Sequence, residues 1–78
     1  MRHVLTRQQI YDMIWERAVW KVAPELGISD VALRKHCVKH AIPVPDATYW
    51  GRKHAGKPVE RKPLGPAPAG YGDQIVID

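Results

Sequence analysis

Residues 23–33, Ala-Pro-Glu-Leu-Gly-Ile-Ser-Asp-Val-Ala-Leu, decide how this chain folds. An apolar stripe at helical spacing, Val19, Val22, Ala23 and Leu26, runs into Gly27. Glycine reaches the left-handed backbone that closes a helix. Two residues on, Ser29 is a good N-cap for a new helix. The spacing thus predicts two short helices joined by a tight turn. Ala23 leaves room where the helices cross, Ile28 plugs the corner, and Leu33 anchors the second helix on the first. The pattern Ala-x3-Gly-x5-Leu meets the steric needs of a helix-turn-helix. An ordinary helical hairpin with a glycine turn meets them as well.

The signals continue on both sides. Upstream, Thr6 is an N-cap, Gln9 completes a capping box, and Leu5 with Ile10 fits a hydrophobic staple. Ile10, Met13 and Ile14 follow helical spacing, flanked by Tyr11 and Trp15, with Asp12 and Glu16 on the wet side. This predicts a helix over about residues 7–17. Downstream, the helix capped by Ser29 runs from Asp30 to about His40. Leu33 and Cys37 form its apolar side, bordered by Ala32, His36 and His40, and Ile42-Pro43 ends it.

The composition changes near residue 42. Residues 1–41 hold one proline and one glycine, whereas residues 42–78 hold six prolines and five glycines. The second part is therefore expected to be non-helical. Residues 51–62, GRKHAGKPVERK, carry five Lys or Arg and one Glu, matching the +4 of the whole chain. Residues 63–70, PLGPAPAG, read as extended, and residues 74–78 as the only β-like run. The expected fold is all-α: a three-helix helix-turn-helix domain over residues 1–50, then an extended Pro/Gly-rich basic arm over residues 51–78. The apolar triplet Ile75-Val76-Ile77 leaves three readings: a strand pairing with its twin in a dimer, a tail packing back on the helices, or an inert tail.

Size and charge exclude much. A chain of 78 residues is too short for a nucleotide-binding α/β fold or a barrel enzyme. No apolar run approaches the roughly 20 residues that span a bilayer, so no membrane partner is expected. Residues 1–7 have charge but no apolar stretch, so no signal peptide is expected. With the lone Cys37 this predicts a cytoplasmic protein, nucleoid-associated when on DNA. No paired carboxylates, nucleophile–base pair or four-ligand metal set is legible, so neither enzyme activity nor a cofactor is expected. His36 and His40 stand four apart and can share a metal, but such pairs more often border a core or touch phosphate.

On the helix after Ser29, Val31, Arg34, Lys35 and Val38 point away from Leu33 and Cys37. Cations with an apolar side chain suit a major groove, where Arg or Lys binds guanine and an apolar group meets the thymine methyl. Asp30 is placed to accept from a cytosine amino group. The base-contacting candidates are Asp30, Val31, Arg34 and Lys35. Phosphate candidates are Thr6, Arg7, Trp20, Lys21, Ser29, Lys39, Arg52, Lys53 and Lys57. The plain alternative is a solvated face with Asp30 and Arg34 as an i,i+4 pair. Trp15 and Trp50 are expected in the core and Trp20 outside it, although exposed aromatics also stack on bases.

The runs LTRQQIYDMIW, KVAPELGISDVALRKHC and IPVP-x4-YWGRKHAGKPVERKPL, across residues 5–64, resemble a family of small bacterial and phage-borne helix-turn-helix proteins, mostly uncharacterised. The resemblance implies duplex DNA binding and a role in gene regulation or mobile-element biology. Three departures stand out: Pro24 for a charged helix former, Trp20 for a small polar residue, and His36 and His40 for apolar residues. The expected function is sequence-specific duplex DNA binding in transcriptional control, with a homodimer or several copies on DNA. The alternative is a protein-binding adaptor docking on RNA polymerase or a repressor. A recombination or packaging accessory protein is a third reading.

Overall fold

A computed structural model describes residues 3–77. The elements run β1 (His3–Thr6), α1 (Arg7–Glu16), α2 (Val19–Glu25), α3 (Asp30–Lys39), α4 (Ala47–His54) and β2 (Gln74–Ile77). The domain is mostly helical, but it is not purely all-α. Four helices, not three, lie among the described residues, and its two strands pair as an antiparallel sheet.

The helix starts follow the caps. Thr6 Oγ1 accepts from Gln9 N–H while the Gln9 side chain accepts from Thr6 N–H, a complete capping box. Ser29 accepts from Ala32 N–H at 3.1 Å. Three helix ends share one closure. Gly27 (φ 72°), Ala41 (φ 55°) and Gly56 (φ 74°) take the left-handed backbone after α2, α3 and α4. The next amide then reaches back five residues: Ile28 to Ala23, Ile42 to Cys37, Lys57 to Arg52. Ala41 does this with a side chain, at a steric cost a glycine would avoid. Pro24 lies in the last turn of α2, a helix of only seven residues. A proline there leaves the Trp20 carbonyl without its helical N–H partner.

The core gathers Ile10, Ile14 and Trp15 of α1, Val22 and Ala23 of α2, and Leu33 and Cys37 of α3, all at most 2% exposed. Ala23 and Leu33 sit between α2 and α3 as the spacing predicts. Burial pushes the Cys37 thiol up to about 11, with a smaller opposing pull from Arg34, so this sulfur stays protonated and inert.

The C-terminal stretch joins the same core. β2 lies antiparallel to β1 in the register His3↔Ile77, Val4↔Val76, Leu5↔Ile75 and Thr6↔Gln74. Period-two alternation turns Ile75 and Ile77 inward, where they are fully buried, and leaves Val4 and Val76 outside. Of the three readings of the Ile-Val-Ile run, the chain adopts the second: it packs back on its own fold. The intervening residues are tied down too. Leu64 packs on the core, the Tyr11 hydroxyl donates to the Lys62 carbonyl, and Arg61 pairs with Asp12 at 2.9 Å.

The second correction is α4. Residues 42–78 were expected to be non-helical because of their prolines. Those prolines flank the helix, at 43, 45 and 58, and none lies within it. Asp46 caps it by accepting from Tyr49 N–H, and Gly56 ends it. Its core-facing aromatic is Tyr49, whose ring meets Trp15 edge-on at 4.8 Å and whose hydroxyl donates to the Trp15 carbonyl. Trp50, expected in the core, is only half-buried.

Candidate nucleic-acid interface

α3 presents the expected residues. Leu33 and Cys37 are fully buried on one side, while Val31 (56% exposed) and Val38 (79% exposed) stand out on the other. Arg34, Lys35 and Lys39 are exposed around them, and the five side chains line a shallow hollow of about 370 Å3. Asp30 is exposed in the first turn, and among the described residues it makes no ion pair with Arg34. The i,i+4 pair is thus not what holds either side chain. Two valines amid three cations give a face that combines positive charge with apolar contact.

The phosphate candidates divide by their surroundings. Trp20, Lys21, Lys39, Arg52, Lys53 and Lys57 are exposed. Ser29 is exposed as well; its oxygen caps α3, and its hydroxyl proton is still free to donate. Thr6 is half-buried in the capping box and in β1.

Arg7 must be removed from the set. It is 3% exposed, and its guanidinium is spent inside the molecule. Nε donates to the His40 carbonyl at 2.7 Å, Nη2 to the Ala41 carbonyl at 3.1 Å, and Nη1 to the Gly65 carbonyl at 2.9 Å. Its backbone N–H donates to the Asp73 carbonyl at 2.8 Å. This side chain clamps the left-handed end of α3 to the start of α1 and to the returning chain. A residue one step past an N-cap reads from sequence as an exposed cation. Only the fold brings residues 40, 41 and 65 around it.

Among the described residues no third His, Cys, Asp or Glu gathers with His36 and His40. His40 caps α3, buried, its ring edge-on to Tyr71 at 5.3 Å. Burial lowers its pKa, helped by the positive charge of Lys39, His36 and Arg7. Its Nδ1 is buried without a hydrogen-bond partner, which fits a neutral ring.

Two further hollows flank α4. One, about 470 Å3, separates it from residues 58–62 and mixes Asp46 and Glu60 with Arg52 and Lys62. Its mixed charge suits no polyanion. The other, about 310 Å3, lies between the start of α2 and α4 and is lined by Trp20, Lys21, Trp50 and His54. Sequence reading marked Trp20 as exposed but did not bring Trp50 to it, because α4 was not anticipated.

No protein-family model, curated protein or solved structure matches this chain. No helix among the described residues is long and apolar enough to cross a membrane.

Proposed function

We propose that this protein is a helix-turn-helix module that binds duplex DNA sequence-specifically, with α3 in the major groove, and that it acts in transcriptional control. The observation that carries the reading is the outward face of α3, with Val31 and Val38 exposed among Arg34, Lys35 and Lys39. An Arg or Lys on such a helix binds guanine O6 and N7, and an exposed apolar side chain meets a thymine methyl. The positive-φ turn at Gly27 and the small, buried Ala23 on α2 support it.

In this reading Arg34 and Lys35 contact bases, with Asp30 and Val31 at the entry of the helix. Lys21, Ser29 and Lys39 contact phosphates, which fix the register without reading sequence. Arg52 and Lys53, on the last turn of α4, and Lys57 beyond it extend the cationic surface. One such module reads few base pairs, so a homodimer or several copies on DNA follow.

The test is Arg34→Ala, measured by fluorescence anisotropy on the preferred duplex and on random duplex. Arg34 is exposed, so the fold is kept. Affinity for the preferred site falls by about 1–3 kcal/mol, roughly 5- to 150-fold, and preference at one base pair relaxes. Equal loss on both duplexes makes Arg34 a phosphate contact. No loss on either removes α3 as the reader.

The same exposed valines favour a second reading, an adaptor that docks the α3 face on a protein. Protein docking on apolar contacts depends little on salt, whereas DNA binding through several phosphates falls steeply with it.

A further inference from the structure

We infer that the hollow between α2 and α4 is a binding site for an unpaired nucleobase, so that this protein takes single-stranded or locally opened nucleic acid at a place separate from α3. The inference does not rest on the α3 reading.

Two tryptophans line one cavity. Trp20 is 64% exposed near the start of α2, and Trp50 is half-buried on α4. Between them lies about 310 Å3, about twice the roughly 150 Å3 that holds a benzene ring in an engineered apolar cavity. Ala18 and Ala47, both with minimal side chains, line the same space and leave it open to a flat ring. Both indoles bring a cation. Lys21 Nζ stands 5.3 Å from the Trp20 ring and Lys53 Nζ 5.4 Å from the Trp50 ring, with His54 on the cavity wall. Among the described residues no carboxylate lines this space.

Folding gains little from Trp20 in this position, since most of its surface stays in water. Its place on the same hollow as a second indole, with an ammonium near each ring, is the arrangement that holds single strands: rings to stack on base faces and cations to meet the phosphates that follow. A phosphate contact alone needs only a donor and would leave the aromatic pair without a role. Stacking tolerates any base, so the site adds affinity for opened strands without adding sequence choice.

The test uses the full chain and a short fluorescein-labelled oligothymidine, with a blunt duplex of random sequence alongside. Trp20→Ala lowers affinity for the oligothymidine about tenfold or more, and Trp20→Tyr, which keeps a ring, restores most of it. The duplex loses much less. Trp50→Ala gives the same pattern, and if that variant fails to fold by circular dichroism, the Trp20 pair carries the test. Unchanged oligothymidine binding by Trp20→Ala overturns the proposal. Equal losses on single strand and duplex also overturn it, making Trp20 a phosphate contact. So does a drop in mass by light scattering with oligonucleotide binding intact, which makes the hollow a protein contact. Each of these outcomes leaves the Arg34 result on duplex free to stand or fall.

Discussion

A chain lacking residues 74–78 does not hold its fold at room temperature. Ile75 and Ile77 are both fully buried, although they lie at the far end of the sequence from the helices they cover. Truncating one buried isoleucine to alanine costs about 2–5 kcal/mol, and the deletion removes two together with the strand pairing. Against it stands a total stability of about 4–12 kcal/mol for 78 residues at the usual per-residue value. β1 then loses its partner, and Arg7 N–H loses the support of the strand that positions Asp73. Circular dichroism during a thermal scan shows the loss. Ile77→Ala alone lowers the melting temperature while the chain still folds. A deletion that melts where the full chain melts, with the same mass by light scattering, shows that β2 contributes nothing to this core.

Arg7→Met lowers stability by about 2–3 kcal/mol, a loss larger than expected for a surface arginine. Methionine fills much of the space but offers no donor. The His40 carbonyl then stays buried without its partner, while the Ala41 and Gly65 carbonyls, whose bonds are only part-buried, lose theirs nearer the solvent. Each buried acceptor left unsatisfied costs about 1–3 kcal/mol. The position is sensitive because two of the three carbonyls belong to the end of α3, where Ala41 already holds the left-handed backbone. Arg7→Lys rescues only in part, because a single ammonium does not reproduce the planar fork that serves three acceptors. Urea unfolding of the three proteins measures this. Were Arg7 a phosphate contact, Arg7→Met would unfold at the same urea concentration as the unaltered chain and lose only DNA affinity.

The two sensitive positions also mark where sequence reading stopped. The caps Thr6 and Ser29, the closing Gly27 and the stripe through Val22, Ala23 and Leu33 are local signals, and the two short helices with the tight turn between them could be placed from them. β1 carried no such signal: His3–Thr6 is four residues long and becomes a strand only because β2 pairs with it. The fate of Ile75 and Ile77 was open for the same reason, since a strand's partner is not written near it. α4 was hidden by composition. Counting prolines over residues 42–78 concealed that they stand outside residues 47–54, while Asp46 and Gly56 supplied the start and stop. With α4 absent from the reading, Tyr49 was not chosen over Trp50 as the core aromatic, and the Trp20–Trp50 hollow was not visible. On α3 the outward set, Val31, Arg34, Lys35 and Val38, followed from helical geometry once Leu33 and Cys37 faced inward. Arg7 is the opposite case: its acceptors lie 33, 34 and 58 residues away in sequence.

The proposed role of α3 is tested most directly by selecting bound duplexes from a random double-stranded DNA library with the full chain, then repeating the selection with Arg34→Ala. A major-groove reader enriches one short motif containing guanine, and the variant loses preference at a single position within it while keeping the rest. Enrichment of no motif by the unaltered chain, with binding that rises and falls only with salt, contradicts sequence reading by α3 and leaves a non-specific cationic surface in its place.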